Sequence, residues 1–170
     1  SSDLIMFNDE IGVCCGVSIS TSEIKVVLCD VYARVLWMKQ WDFEREREPR
    51  LILEDIADKV DEGIAELKPH RNARLLGIGI GLPSLLQKEE GIVYGTPNIL
   101  NWNNIPVKDF FRNRFHVPTY MDTISNMSVL GEKWFGAAKN ASNVLYLSIG
   151  QGIGAGILIN GELYSGANGY

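Results

Sequence analysis

Apolar positions along this 170-residue chain follow two different periods. Residues 12–17 and 24–30 are short apolar, β-rich runs on either side of the polar break Ser20-Thr-Ser-Glu23. A third run, 35–43, follows a turn at Tyr32-Ala33. Strands joined by connections this short are antiparallel neighbours. The period then lengthens. From Pro49 onward Leu53, Ile56, Val60, Ile64 and Leu67 recur every three to four positions, which makes one face of a helix. Proline suits the first turn, where its missing N–H costs nothing, and Pro69 ends the element. Residues 75–82, Leu-Leu-Gly-Ile-Gly-Ile-Gly-Leu, return to a strand that is buried on both faces or closely approached. Asn104 is the expected cap of a second helix with Pro106 in its first turn and Val107, Phe110, Phe111 and Phe115 facing inward. A strand at 117–121, a helix at 126–134 and a strand at 144–149 follow. Trp134 and Phe135 are expected in the core. Asn160-Gly161 marks a hairpin between 152–159 and 162–165.

Three hairpin-linked strands followed by alternating helices and strands predict an α/β fold, a mixed sheet flanked by helices. That order matches the ribonuclease-H-like unit of the actin, hexokinase and Hsp70 ATPase superfamily. The expected organisation is a linker at 1–12, a first lobe at 13–140 and the start of a second, similar unit at 141–170. A net charge of −5 argues against this segment gripping a nucleic-acid backbone. The run Glu44-Arg-Glu-Arg-Glu48 reads as solvated surface. Cys14, Cys15 and Cys29 lack metal-site spacing and read as buried free thiols of a cytoplasmic protein. His70 and His116 stand apart, so no metal site is expected. No apolar run approaches the ~20 residues that cross a bilayer, so no membrane partner is expected.

The segment carrying the most chemistry is 121–136, Met-Asp-Thr-Ile-Ser-Asn-Met-Ser-Val-Leu-Gly-Glu-Lys-Trp-Phe-Gly. It resembles the active-site segment of the ROK family, which groups bacterial sugar kinases with sugar-responsive repressors. The kinases carry Glu-Asn-Asp-Ala-Asn, then a small apolar run and Gly-Glu. Gly131-Glu132 places Asp122-Thr123-Ile124-Ser125-Asn126 on that motif, with Ile124 at the catalytic aspartate. Isoleucine accepts no proton, and losing a general base costs about 10²–10⁴ in rate. Asp122, two residues away, is the one carboxylate near enough to be weighed as a substitute. The resemblance extends to the first phosphate loop, Gly-x-Asp-x-Gly-Gly-Thr-Lys in the kinases. Here Ser18 replaces the aspartate, Ser20 and Thr21 replace the glycines, and Glu23 adds negative charge. The second loop keeps its glycines as Gly150, Gly152, Gly154 and Gly156. These are read as structural remnants rather than an ATP site. No catalytic residue is assigned.

For the sugar pocket, Gly77-Ile-Gly-Ile-Gly-Leu-Pro-Ser84 and Pro97-Asn-Ile-Leu-Asn-Trp102 resemble family segments. Ser84, Asn98, Thr123, Ile124 and Gly152 are the candidate sugar-binding residues. Asn98 offers a donor and acceptors to a sugar hydroxyl, or is simply a turn residue after Pro97; Trp102 reads as core. Leu4 to Gly12 resembles the segment joining a helix-turn-helix to the sugar domain of ROK repressors. The resemblance thus implies an effector-binding region whose partners are a monosaccharide, DNA through a helix-turn-helix outside this chain, and further copies of itself as a homo-oligomer. It implies no cofactor in this chain, with zinc at a cysteine cluster beyond it. An ATP-dependent sugar kinase with altered motifs is the alternative.

Overall fold

The computed structural model describes residues 8–44, 46–83, 85–87, 90–95, 101–150 and 152–166. Three strands, β1 (Val13–Ile19), β2 (Glu23–Cys29) and β3 (Val35–Asp42), precede the helix α1 (Pro49–Leu67) and the strand β4 (Leu75–Leu82). A small hairpin, β5 (Leu85–Gln87) and β6 (Ile92–Gly95), leads to α2 (Val107–Phe115), β7 (Thr119–Thr123) and α3 (Ile124–Trp134). Strands β8 (Val144–Ile149), β9 (Ile153–Ile159) and β10 (Glu162–Leu163) follow.

The main sheet has the order β3-β2-β1-β4-β7. β1, β2 and β3 are antiparallel neighbours, whereas β1, β4 and β7 run parallel, joined through α1 and α2. This is the ribonuclease-H-like mixed sheet that the alternation of periods predicts. Strict period-2 burial puts Val13, Cys15, Val17 and Ile19 of β1 inside with Ile24, Val26 and Leu28 of β2 and Ile78, Ile80 and Leu82 of β4. They form one cluster with Ile52, Leu53, Ile56 and Val60 of α1 and Val107 and Phe111 of α2. Gly63 lets α1 descend onto the sheet: a Cβ there would stand 2.7 Å from the Trp37 ring and 2.8 Å from Leu28 Cδ1. Ile64, Leu67, Phe110 and Phe115 border this core, and Trp102 is inside it, tilted against Phe43.

The second sheet has the order β10-β9-β8. Asn160 and Gly161, with φ of 55° and 83°, turn β9 into β10 as their sequence predicts. Helix α3 joins the two sheets. Its Ile124 and Met127 lie over Gly81 of β4, while its Ser125 and Val129 press on Gly154 and Gly156 of β9. A Cβ on Gly154 would meet Ser125 Oγ at 2.5 Å; one on Gly156 would overlap the Ser125 carbonyl and meet Val129 Cγ1 at 2.9 Å. Glycine is therefore what allows this helix to seat on β9.

Four expectations need correction. The β5–β6 hairpin went unread because β5 is only three residues long and shows no alternation. Asn104 does not cap α2. It sits in the left-handed region at φ 57°, and Pro106 occupies the cap position without a side-chain bond. β7 begins two residues later than expected: Pro118 has no N–H to give a ladder, although its carbonyl accepts from Ile78 N at 2.9 Å. Trp134 and Phe135 are exposed, not core, at the end of α3.

Candidate functional site

Parallel strands deliver their C-terminal ends to one edge of a sheet, where ligands of open α/β folds bind. Here the cross-strand row at that edge is Ser18, Gly81 and Asp122, from β1, β4 and β7, and β2 extends it with Lys25 opposite Ser18. One row deeper, Gly16 is paired with Gly79, and a Cβ on either would meet nothing within 4 Å. The β1–β2 hairpin and the first turn of α3 border this glycine-floored face.

The hairpin closes on itself. Ser20 Oγ accepts from Ser22 N at 3.3 Å and Glu23 N at 3.0 Å, and it lies 3.0 Å from the Glu23 carbonyl, to which it donates. Ser20 N donates to that same carbonyl at 2.8 Å. Amides that a phosphate loop would offer are thereby occupied. The Glu23 carboxylate is 3.5 Å from Lys25 and accepts from Gln40 at 2.6 Å, so the added charge is balanced locally.

At the end of β7 the chain turns directly into α3. Ile124 is the first helical residue, whereas Asp122 still belongs to the strand. Thr123 is the cap: its Oγ1 accepts from Asn126 N at 3.2 Å. Asp122 Oδ1 accepts from Thr123 N and from Asn126 Nδ2, both at 2.7 Å. Asn126 is buried and holds this carboxylate against the helix. The role of Asn126 was not read from the sequence, although a spacing of four between Asp122 and Asn126 carries the signal. Ile124 is half-buried, and a Cβ added to Gly81 would stand 3.5 Å from its Cγ1. An aliphatic side chain therefore lies over Gly81 at the start of α3.

In the second sheet, Gly150 and Gly152 flank the β8–β9 turn with open space where a Cβ would stand, and Gly150 N donates to the Gly152 carbonyl at 2.9 Å. Gly154 belongs to the seat of α3. The structure therefore sets Ser18 in one row with Gly81 and Asp122, Thr123 and Ile124 directly after that row, and Ser20 and Thr21 in the hairpin beyond Ser18, while Gly150 and Gly152 belong to the second sheet. Ser84 and Asn98, with most of the 97–102 segment, lie outside the described residues. Among the described residues no three His, Cys, Asp or Glu side chains group as metal ligands. Burial pushes all three thiols up, Cys29 to about 11, so they are protonated at neutral pH and are poor nucleophiles. Cys15 is buried, while Cys14 and Cys29 are half-buried. No described helix is long and apolar enough to cross a membrane.

A mixed sheet of this order with its site at the parallel strand ends defines the actin/hexokinase-like class, in the form shared by sugar kinases and regulators. The chain belongs to the ROK family, whose model matches residues 14–170. It is 32% identical over 167 residues to the xylose repressor of Caldicellulosiruptor bescii, covering 98% of this chain and 41% of that protein. It is 31% identical over 158 residues to the glucokinase of Halalkalibacterium halodurans, covering 91% and 46%. The chain thus spans less than half the length of these relatives. The crystal structure of a ROK family transcriptional regulator, a homolog of the E. coli MLC protein, superposes with a TM-score of 0.81 at 23% identity, over 94% of this chain and 40% of that one. That likeness is one of fold.

Proposed function

We propose that the chain is the effector-binding region of a ROK transcriptional regulator that has lost kinase chemistry and responds to a monosaccharide. The observation that carries this reading is Ile124 at the start of α3, lying on Gly81 where a sugar kinase would hold its base. The neighbouring carboxylate is tied to the first turn of α3, where Asp122 Oδ1 accepts from Thr123 N and Asn126 Nδ2. The β1–β2 hairpin supports the same reading independently, since Ser20 takes up amides that would otherwise face phosphate. The glycine floor at Gly16 and Gly79 leaves room for a small polar ligand beside Ser18 and Lys25.

Regulation then follows by linkage. A sugar that binds one arrangement of the two sheets more tightly shifts the population toward it, and DNA affinity outside this chain changes with that population. The helix α3, seated on both sheets, is the element through which such a shift passes. The partners in this reading are a monosaccharide, DNA through a separate module, and further copies of the chain; it needs no bound cofactor in the described region.

A thermal-shift panel of monosaccharides, with ATP·Mg²⁺ as a separate arm, tests this reading. A ligand at about 100 times its dissociation constant stabilises a protein by about 2.7 kcal/mol. The expected outcome is a shift with a sugar and none with ATP·Mg²⁺. A shift with ATP·Mg²⁺ and turnover of sugar would return the protein to the kinases.

A further inference from the structure

The chemistry at Ile124 also restricts which sugar the site accepts. Its side chain closes the Ser18–Gly81–Asp122 row with aliphatic carbon, close enough that a methyl on Gly81 would stand 3.5 Å from Ile124 Cγ1. Asp122 Oδ1, two residues before Ile124, is tied to the first turn of α3 by two hydrogen bonds of 2.7 Å. Thr123 Oγ1 already accepts from Asn126 N. A ligand group that packs on the Ile124 side chain therefore meets aliphatic carbon, which accepts no hydrogen bond.

The hydroxyl that a phosphotransferase activates most readily on a hexopyranose is the unhindered primary one on the exocyclic carbon. Against Ile124 that hydroxyl would surrender water to a side chain that accepts nothing, which weakens binding by an unmade hydrogen bond. A hydrogen or a methyl in its place loses nothing and gains contact with aliphatic carbon. We propose that Ile124 selects monosaccharides whose exocyclic position carries no hydroxyl. These are pentopyranoses, with a hydrogen there, and 6-deoxyhexoses, with a methyl, in preference to hexopyranoses with a free hydroxymethyl group. This inference rests on the sugar-binding reading above and adds the ligand class.

The test is calorimetric titration of the purified protein with glucose, 6-deoxyglucose and xylose, in wild type, Ile124→Asp and Ile124→Ala. Glucose and 6-deoxyglucose differ by one oxygen, so their ratio isolates the hydroxyl. In wild type, 6-deoxyglucose and xylose should bind about tenfold to a hundredfold more tightly than glucose, the range for one unmade hydrogen bond. Ile124→Asp places an acid at the positive end of α3, where helices tolerate it well, and should bring glucose level with or ahead of 6-deoxyglucose. Ile124→Ala should weaken all three sugars and keep their order. Glucose binding as tightly as 6-deoxyglucose in wild type, or an unchanged ratio in Ile124→Asp, overturns the inference while leaving the sugar-binding reading in place. Absence of binding by any monosaccharide overturns both.

Discussion

The β1–β2 hairpin and the β8–β9 turn differ in how their residues are used. In the β1–β2 hairpin, Ser20 and Thr21 stand where the family resemblance puts the glycines of a phosphate loop, and Ser20 satisfies the turn internally. Around the β8–β9 turn the glycines remain, yet they divide by purpose. Gly150 and Gly152 face open space, whereas Gly154 and Gly156 lie beneath Ser125 and Val129 of α3. A retained glycine is therefore not evidence of a ligand. What decides its meaning is the atom that a Cβ would strike, and for two of these four glycines that atom belongs to the protein.

The largest expected effect tests that division directly. Gly156→Ala drives a methyl into the Ser125 backbone and to 2.9 Å from Val129 Cγ1, so α3 has to lift from β9. Backbone yields less than a side chain end, and overpacking of this kind costs about 3 kcal/mol. Gly152→Ala, four residues away in open space, should stay within about 0.5 kcal/mol of wild type. Urea unfolding of the two variants measures the contrast. Equal midpoints would abolish the distinction between the glycines.

Sequence alone could resolve only part of this. The mixed sheet with flanking helices was legible because the short apolar β-rich runs of β1, β2 and β4 differ from the three-to-four spacing of α1. The altered hairpin was legible as well, since Ser18, Ser20 and Thr21 stand in a recognisable frame. The seat of α3 was not, because Ser125 and Gly154 meet across 29 positions of sequence and no local pattern links them. The same holds for Trp134 and Phe135: aromatic character predicts burial, but only the path of α3 decides that its end projects from the sheets. Asn104 misled for a different reason. Asparagine favours helix caps and left-handed turns alike, and here it takes the turn.

A second self-satisfied turn, at the other end of the sheet, sets the scale for what such turns contribute. Asp30 is buried between β2 and β3, where its carboxylate accepts from Tyr32 N at 2.9 Å, Arg34 N at 3.0 Å and Arg34 Nε at 2.6 Å. Burial alone would push this carboxyl up; the hydrogen bonds from Arg34 and Tyr32 outweigh it and hold the pKa below the ordinary aspartate value. A depressed folded pKa adds stability that is fully present above the unfolded value, about 4, and is lost as the pH falls below it. Asp30→Ala should cost about 2 kcal/mol at neutral pH by orphaning two amides. The deficit relative to wild type should narrow on acidification below about pH 4. A deficit that stays constant from pH 7 to pH 3 would show that the charge contributes nothing.

The helix seat can be resolved further by pairing its two sides. Ser125 Oγ is the atom 2.5 Å from a Cβ on Gly154, while Ser125 Cβ is 3.7 Å away, an ordinary contact distance. Gly154→Ala alone should therefore be destabilising, and Ser125→Ala should make room for it. A double-mutant cycle is expected to return a favourable coupling of about 1–2 kcal/mol. Additive costs would place the clash elsewhere and undo the account of why Gly154 is kept.

The smallest effect belongs to the hairpin that contrasts with this seat. Ser20→Ala keeps the main-chain bond from residue 20 to the Glu23 carbonyl but removes the hydroxyl that accepts from Ser22 N and Glu23 N. Those amides are near solvent, so water replaces most of what is lost and the cost should be about 0.5–1 kcal/mol. Amide hydrogen exchange is the sharper reading. Glu23 N, with the 3.0 Å bond, should exchange faster in the variant, and Ser22 N, at 3.3 Å, should change less. Unchanged exchange at both would mean that the amides were already free in the wild-type hairpin. The two loops would then differ in residue type without differing in what they can offer a phosphate.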